Sequence, residues 1–432
     1  MTAAALLAPD PRLPLRDLLL DPEVAGRRMA LRLRSGRALD IRECQLLLAK
    51  YRVGDTLRAL YRLRVGGAQQ VVAARMFTGG ASAAVYRKAL ARAVPSHPFR
   101  PVVLDAELDT VLWSFPNDRR LDNLSAFEVV PRDLRGVLGR PWVASELVVY
   151  TQEKSATARC LDPSGATIAY AKAYSRPEVL HHYCQVLERV RARTLAAGWL
   201  RVPSVLARSD SHRMVWLEAI GGRKLNELTG AELHQALTGL GTALAVLHRL
   251  PTSGLPRFTR FDLDCLRRSG QVIAQARPDL AAVAGTLVAS LAARRPPVEE
   301  PVHLHGDVHP PNVLVESGRL ALIDLDQAGA GSPANDLASM LARLRQDRVL
   351  GLLEPAEAAE FGSAFLGAYA AMAPLPDAAS LRWHTAAALL AERCLRAVNR
   401  VLPDILPHLQ ALLAEATRLL ARDGDDPMEV CS

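Results

Sequence analysis

Residues 302–327, VHLHGDVHPPNVLVESGRLALIDLDQ, constrain the fold more tightly than any other stretch of the chain. Val302 and Leu304 lead into a polar loop, and Val313, Leu314 and Val315 follow it. Glu316-Ser317-Gly318 then signals a turn, and Leu320, Leu322 and Ile323 rebuild an apolar strand that ends on Asp324. Short apolar runs bounded by Gly, Pro, Asn and Asp read as strand, tight loop, strand, turn, strand. A hairpin of this kind holds Asp307, Asn312 and Asp324 at the mouth of a rigid scaffold. Three oxygen-bearing side chains from adjacent loops suit Mg²⁺, a hard ion that takes a few protein oxygens and fills its other positions with phosphate and water. Phosphoryl transfer asks for the same set: one carboxylate to orient an attacking hydroxyl, and an amide with a second carboxylate to hold metal on the phosphates. The same residue types also favour ordinary turns, which is the structural alternative.

These residues carry a resemblance to a known family. His305-Gly306-Asp307-x-x-x-x-Asn312 and Ile323-Asp324-Leu325-Asp326 resemble the catalytic loop and the metal-binding strand end of the aminoglycoside phosphotransferase and choline kinase-like branch of the protein-kinase-like superfamily. The resemblance implies Asp307 as catalytic base, Asn312 and Asp324 as metal ligands, and ATP with Mg²⁺ as cofactors. It implies three supporting residues: His305 packing and fixing the loop, Asp326 acting on the metal indirectly, and Asp336 bracing the loop from a helix start. An aspartate that merely caps that helix would look the same in sequence. His309 reads as a loop-stabilising residue.

Composition excludes several classes. The chain has 432 residues, half of them apolar, enough for two or three domains. No charge-free run reaches the ~18 residues of a membrane span. An AAALLA run near the N-terminus has no basic segment before it and does not read as a secretion signal. The six cysteines show no metal-ligand spacing, which suits a reduced, cytoplasmic protein. The formal charge of +8 comes from dispersed arginines rather than a stripe, so no nucleic-acid or membrane partner is expected.

Along the chain, a helix is expected over Pro22 to Leu33. Strands follow through residues 41–80 with turns at Val53-Gly54-Asp55 and Val65-Gly66-Gly67, then a helix over 81–95 and two more strands. The layout recurs after residue 141, with a hairpin around Asp162-Pro163-Ser164-Gly165, a helix from Pro177 to about Ala197, and further strands. Tyr51 aligns with Tyr150, Arg75 with Lys172, and LWSFPNDRRLDNL with VWLEAIGGRKLNEL, which suggests two copies of one unit at about 41–125 and 145–228. From Thr229 the pattern turns helical. Thr229-Gly230-Ala231-Glu232 reads as a capping box, and Leu233, Leu237, Leu240, Leu244 and Leu247 mark one helix face. Helices are also expected over 262–275, 278–294, 335–344, 355–372, 378–398 and 407–422. The fold class is therefore α+β. The resemblance implies a protein-kinase-like bilobal fold preceded by a degenerate N-lobe-like cap: residues 1–140 as cap, 141–228 as nucleotide-binding lobe and 229–432 as helical lobe. The cap is similar to that of maltokinase-like members and could serve self-association or a partner protein.

Lys172 is one of five lysines against 48 arginines and stands in an apolar strand, either reaching phosphates or pointing to solvent at a strand edge. The resemblance gives it a catalytic, phosphate-binding role, with Glu188 as partner and Glu178 as the alternative. The family's glycine-rich phosphate loop is missing between Tyr150 and Ala158, which leaves backbone groups around Glu153 to Ser155 as nucleotide contacts. Glu218 and Ile220 would offer main-chain contacts to the base if 216–222 is a hinge; a strand leaving through a Gly-Gly turn would look the same. Arg75 in place of lysine, and Pro116 where a hinge N–H would be, argue against a second nucleotide site in the first copy. The expected activity is ATP- and Mg²⁺-dependent phosphorylation of a small-molecule hydroxyl, such as an aminoglycoside or another sugar. The alternatives are a kinase for Ser/Thr of a precursor peptide and a pseudokinase-like scaffold.

Overall fold

The computed structural model describes residues 6–34, 39–194 and 200–431. The last turn of the helix expected to reach Ala197 and the start of the AAALLA run lie outside the described residues. The chain forms two compact units: the chain up to His181 with Val205–Ala219 and Asn399–Val401, and a second from His182–Ser204, Ile220–Val398 and Leu402 onward.

The first unit begins with helices α1 (Arg16–Leu20) and α2 (Pro22–Arg32). It continues with strands β1 (Ile41–Arg52), β2 (Thr56–Val65) and β3 (Ala68–Met76), helix α3 (Ser82–Leu90), and strands β4 (Val102–Asp105) and β5 (Thr110–Ser114). Asp21 starts α2 by accepting from the amides of Glu23 and Val24, with Pro22 in the first turn where its missing N–H costs nothing. Next come β6 (Ala144–Thr151), β7 (Ser155–Leu161), β8 (Thr167–Tyr174) and α4 (Pro177–Thr194), whose residues are divided between the two units. The short β9 (Leu200–Arg201) belongs to the second unit, and β10 (Val205–Ser209) and β11 (Met214–Leu217) return to the first.

The two sheets of this unit share one topology. The strand order is β1-β2-β3-β5-β4 in one and β6-β7-β8-β11-β10 in the other. Arg75 in β3 lies opposite Val111, the second residue of β5, and Lys172 in β8 lies opposite Val215, the second residue of β11. Strand alternation divides the first sheet's side chains between its faces. Ala59, Tyr61 and Leu63 pack under Ala25, Met29 and Leu33 of α2 and the residues that follow it. Leu60, Ala73, Val111 and Trp113 join Ala156, Ala158, Ala169, Ala171 and Trp216 of the second sheet in one core. Trp142 meets Trp216 edge-on there, 5.8 Å between ring centres.

The second unit is mostly helical. Its elements are β12 (Arg223–Lys224), α5 (Gly230–His248), α6 (Leu263–Ala276), α7 (Ala281–Ala293), β13 (Val302–Leu304), β14 (Val313–Glu316), β15 (Arg319–Leu322), β16 (Gly329–Gly331), α8 (Ala334–Val349), α9 (Pro355–Ala370), α10 (Ala378–Ala388), α11 (Leu395–Arg400, ending in the first unit's share of the chain) and α12 (Leu409–Ala421). Among the described residues no helix is long and apolar enough to cross a membrane, and all six cysteines are free thiols.

Three local expectations are corrected. Thr229 precedes α5, but its side chain makes no cap hydrogen bond. Gly230 has φ +52°, so the chain enters the helix from the left-handed region and the first-turn amides are turned from the Thr229 hydroxyl. The strand before the Asp307 loop, β13, does not join the β14–β15 hairpin; it pairs antiparallel with β16, whereas the hairpin sits in a sheet of order β12-β14-β15-β9. The helix expected over 378–398 is interrupted by a π-helical turn at Leu389–Cys394.

Candidate active site

The loop between β13 and β14 is fixed from below by one buried carboxylate. Asp336, 1% exposed in the first turn of α8, accepts the amides of His305 at 2.7 Å and Gly306 at 2.9 Å. It also meets His248 Nε2 of α5 at 3.3 Å, and His248 Nδ1 in turn meets the Tyr369 hydroxyl at 2.9 Å. Burial alone would raise the pKa of Asp336, but His248 and the loop amides hold it below its ordinary value. Gly306 has φ +75°, and a Cβ there would stand 2.1 Å from the Gln327 carbonyl oxygen, so the loop can pass only as glycine.

His305 ties the loop to the end of β15. Its Nδ1 accepts the Asp307 amide at 3.3 Å, which leaves the proton on Nε2 for donation to the Ile323 carbonyl at 3.1 Å. Asn312 donates Nδ2 to the Asp307 carbonyl at 3.1 Å, and its own carbonyl accepts the Ile323 amide at 2.9 Å. Asp324 follows with φ 62° and ψ 54°, a left-handed conformation that short polar side chains tolerate. Asp326 lies in the single turn that follows.

Asp307 Oδ1 lies 3.1 Å from His309 Nε2 and 3.5 Å from Arg260 Nη1. Burial would raise its pKa, but the His309 hydrogen bond and the nearby positive charge hold it well below the usual carboxylate range. Burial pulls His309 below its ordinary value against the pull of Asp307, and Arg260 adds a second positive group beside Asp307. Arg260 is shared with Glu392, which accepts its Nη1 at 2.5 Å and the Ser339 hydroxyl at 2.6 Å. Glu392 sits in the π-helical turn, and such a turn re-aims side chains that a continuous α-helix would place elsewhere.

The oxygen donors fit a hard cation. Nδ2 of Asn312 is used on the Asp307 carbonyl, so Oδ1 is the atom it can offer, and Asp324 adds a carboxylate. Among the described residues no three His, Cys, Asp or Glu side chains form a ready-made metal centre. Two protein oxygens completed by phosphate and water are the usual supply for Mg²⁺.

In the first unit, Lys172 is buried, with its ammonium 5.3 Å from the Tyr174 ring centre, and pairs across to Thr157 and Val215. Ser155 starts β7, opposite Thr151 and Tyr174. The turn before it is held by the other sheet. Glu153, at φ 63°, is ion-paired with Arg75 at 2.5 Å and Arg119 at 2.6 Å. Its amide donates to Asp118 at 3.1 Å, the Lys154 amide donates to the Thr151 carbonyl, and Gln152 reaches the Ala59 carbonyl at 2.6 Å. Glu218 follows β11, and Glu188 and Glu178 are exposed on α4. Ile220 belongs to the second unit, where Gly222, at φ +113°, lets the chain pass so close to β14 that a Cβ would lie 2.7 Å from the Val315 carbonyl.

Arg260, Ser339 and His248 are neighbours of the Asp307 loop that the sequence did not disclose. Each comes from a helix or loop remote from the motif, and Arg260 lies in FTRFDLD, which carries no signature.

Residues 170–375 match the model of a phosphotransferase enzyme family, APH. The matched segment includes Lys172, Asp307, Asn312 and Asp324; residues 1–169 lie outside it. No curated protein sequence matches the chain. Among solved structures, the macrolide 2'-phosphotransferase MphH from Brachybacterium faecium is 18% identical, with TM-score 0.43, over 68% of this chain and 97% of that one. The aminoglycoside phosphotransferase APH(3'')-Id from Streptomyces rimosus is 21% identical, with TM-score 0.41, over 64% of this chain and 98% of that one.

Proposed function

We propose that the chain, whose residues 170–375 match the model of a phosphotransferase enzyme family, transfers the γ-phosphoryl group of ATP to a hydroxyl of a small molecule. The observation that carries this reading is Asp307. Its carboxyl is held well below the usual carboxylate range on a loop fixed by Asp336 and His305, which Asn312 closes and which His305 ties to Ile323, the residue before Asp324.

In this reading the acceptor hydroxyl donates a hydrogen bond to Asp307. Its oxygen forms a bond to the γ-phosphorus as the bond from that phosphorus to the β,γ-bridging oxygen breaks. ADP leaves with that electron pair, and the acceptor proton passes to Asp307. Because phosphoryl transfer proceeds through a loose transition state, Asp307 acts chiefly by positioning, and a low pKa suits that role. Asn312 and Asp324 would hold Mg²⁺, which when bound neutralises charge on the phosphate oxygens. Lys172 is assigned to the α- and β-phosphates on its strand position and its place within the matched segment.

The test is incubation of the purified chain with ATP, Mg²⁺ and a panel of hydroxylated small molecules. ADP formation together with an acceptor heavier by one phosphate supports the reading. ATP hydrolysis and product both missing across the panel count against it.

A further inference from the structure

The surroundings of Asp307 carry a second message, about the charge of the acceptor. A polycationic acceptor needs carboxylates facing the reacting hydroxyl. On the helices after the catalytic loop, Asp336 holds the loop amides, Asp347 pairs with Arg343 and Glu415 with Arg345, and five further carboxylates are engaged as follows. Glu354 and Glu357 cap the start of α9 reciprocally. Glu360 lies 3.6 Å from His234, and Asp377 caps α10 through the Ser380 amide. Glu392 is buried under Arg260 and Ser339.

The cations are placed the other way. Arg260 reaches Asp307 directly. Arg396, exposed on α11, brings Nη1 against His309 Nε2, the same nitrogen that faces Asp307 Oδ1 at 3.1 Å. The single Nε2 of His309 thus stands between the Asp307 carboxylate and the Arg396 guanidinium. Arg396 has no carboxylate partner among the described residues; its contact is the imidazole of His309, which places its guanidinium about two hydrogen-bond lengths from the base. Guanidinium pairs best with a carboxylate or phosphate, whose two oxygens match its fork.

Resting on the phosphotransferase reading, we propose that the acceptor is an anionic hydroxyl compound, with a carboxylate or phosphate close to the reacting hydroxyl, and that Arg396 is the residue that selects it. An ammonium group in that place would meet the guanidinium groups of Arg260 and Arg396.

The experiment measures ADP formation and product mass with two sets of probes and the full chain. One set is glycerate, glycerol 3-phosphate, glycerol and 3-amino-1,2-propanediol; the other is glucuronate, glucose 6-phosphate, glucose and glucosamine. ATP turnover by the wild type that disappears in Asp307→Asn addresses the phosphotransferase reading by itself. For this proposal, a carboxylate or phosphate member should exceed its neutral and ammonium counterparts by about 10- to 100-fold in kcat/KM, the discrimination expected of a charge-assisted pair. The two kinds of anion in each set separate carboxylate from phosphate recognition. Arg396→Gln should remove that preference through KM, and Arg396→Lys should restore part of it. Preference for a neutral or ammonium member, no anion raising ADP formation above that with water, or an anion preference that survives in Arg396→Gln would each overturn it.

Discussion

Arg75 and Glu153, 78 residues apart, form a 2.5 Å ion pair through which the first sheet grips the β6–β7 turn of the second. Arg75 occupies in its sheet the position that Lys172 occupies in the other. The residue that departs from lysine in the first copy is therefore one that holds the turn leading to Ser155. The first sheet thereby fixes the geometry of the β6–β7 turn.

Glu153 gives this contact a pH signature. Burial alone would raise its pKa, but Arg119 and Arg75, with the charge of Arg58, bring it down to about 2 from 4.5. A carboxyl depressed in the folded state stabilises fully above its unfolded pKa, and the contribution is lost as pH falls through the folded value. At neutral pH it is worth on the order of 3 kcal/mol. Thermal unfolding followed from pH 6 downward should show the wild type losing stability between about pH 4.5 and 2, and Glu153→Gln losing less over that window. Parallel curves would mean that Glu153 is not held ionised.

Asp336 should matter to stability and rate together. Asp336→Ala leaves the amides of His305 and Gly306 buried without acceptors and takes away the carboxylate facing His248. Two stranded donors imply a loss of about 3 kcal/mol, read from the urea midpoint, with a fall in kcat from the released loop. An Asp336→Ala protein of wild-type midpoint and rate would show that the loop is held by something else.

The loop between β13 and β14 was legible because its residues lie within one contiguous motif. Its strand periodicity, its turn at Ser317-Gly318 and its polar residues at fixed spacing can all be read locally. What surrounds Asp307 was not, because Arg260 and Glu392 meet across 132 residues. The π-helical turn that aims Glu392 has an ordinary helical pattern in sequence, and its presence depends on packing. Thr229 shows the opposite failure, a correct cap residue left unused because Gly230 takes a left-handed φ. The resemblance of the two sheet units was visible in their matching residues, but the reason for Arg75 appeared only once Glu153 was placed beside it.

Gly306 and Gly318 make a paired test of where glycine is required. Both have positive φ, but a Cβ at Gly318 meets nothing within 4 Å, whereas one at Gly306 would stand 2.1 Å from the Gln327 carbonyl. Gly318→Ala should cost about 1 kcal/mol with activity retained. Gly306→Ala should displace the loop and lower kcat by on the order of 100-fold, since small misplacements at a reacting centre have that effect. Similar rates in the two variants would argue that the close approach at Gly306 is not part of the catalytic geometry.

Asp307→Asn tests whether Asp307 is the carboxylate that receives the acceptor hydroxyl. The amide is nearly the same size and leaves the loop's other anchors, Asp336 and His305, in place. Purified Asp307→Asn protein, with a thermal midpoint near that of the wild type, should show ADP formation and phosphorylated product reduced by at least about 1,000-fold. Turnover within a few fold of wild type in the folded variant would contradict the assignment.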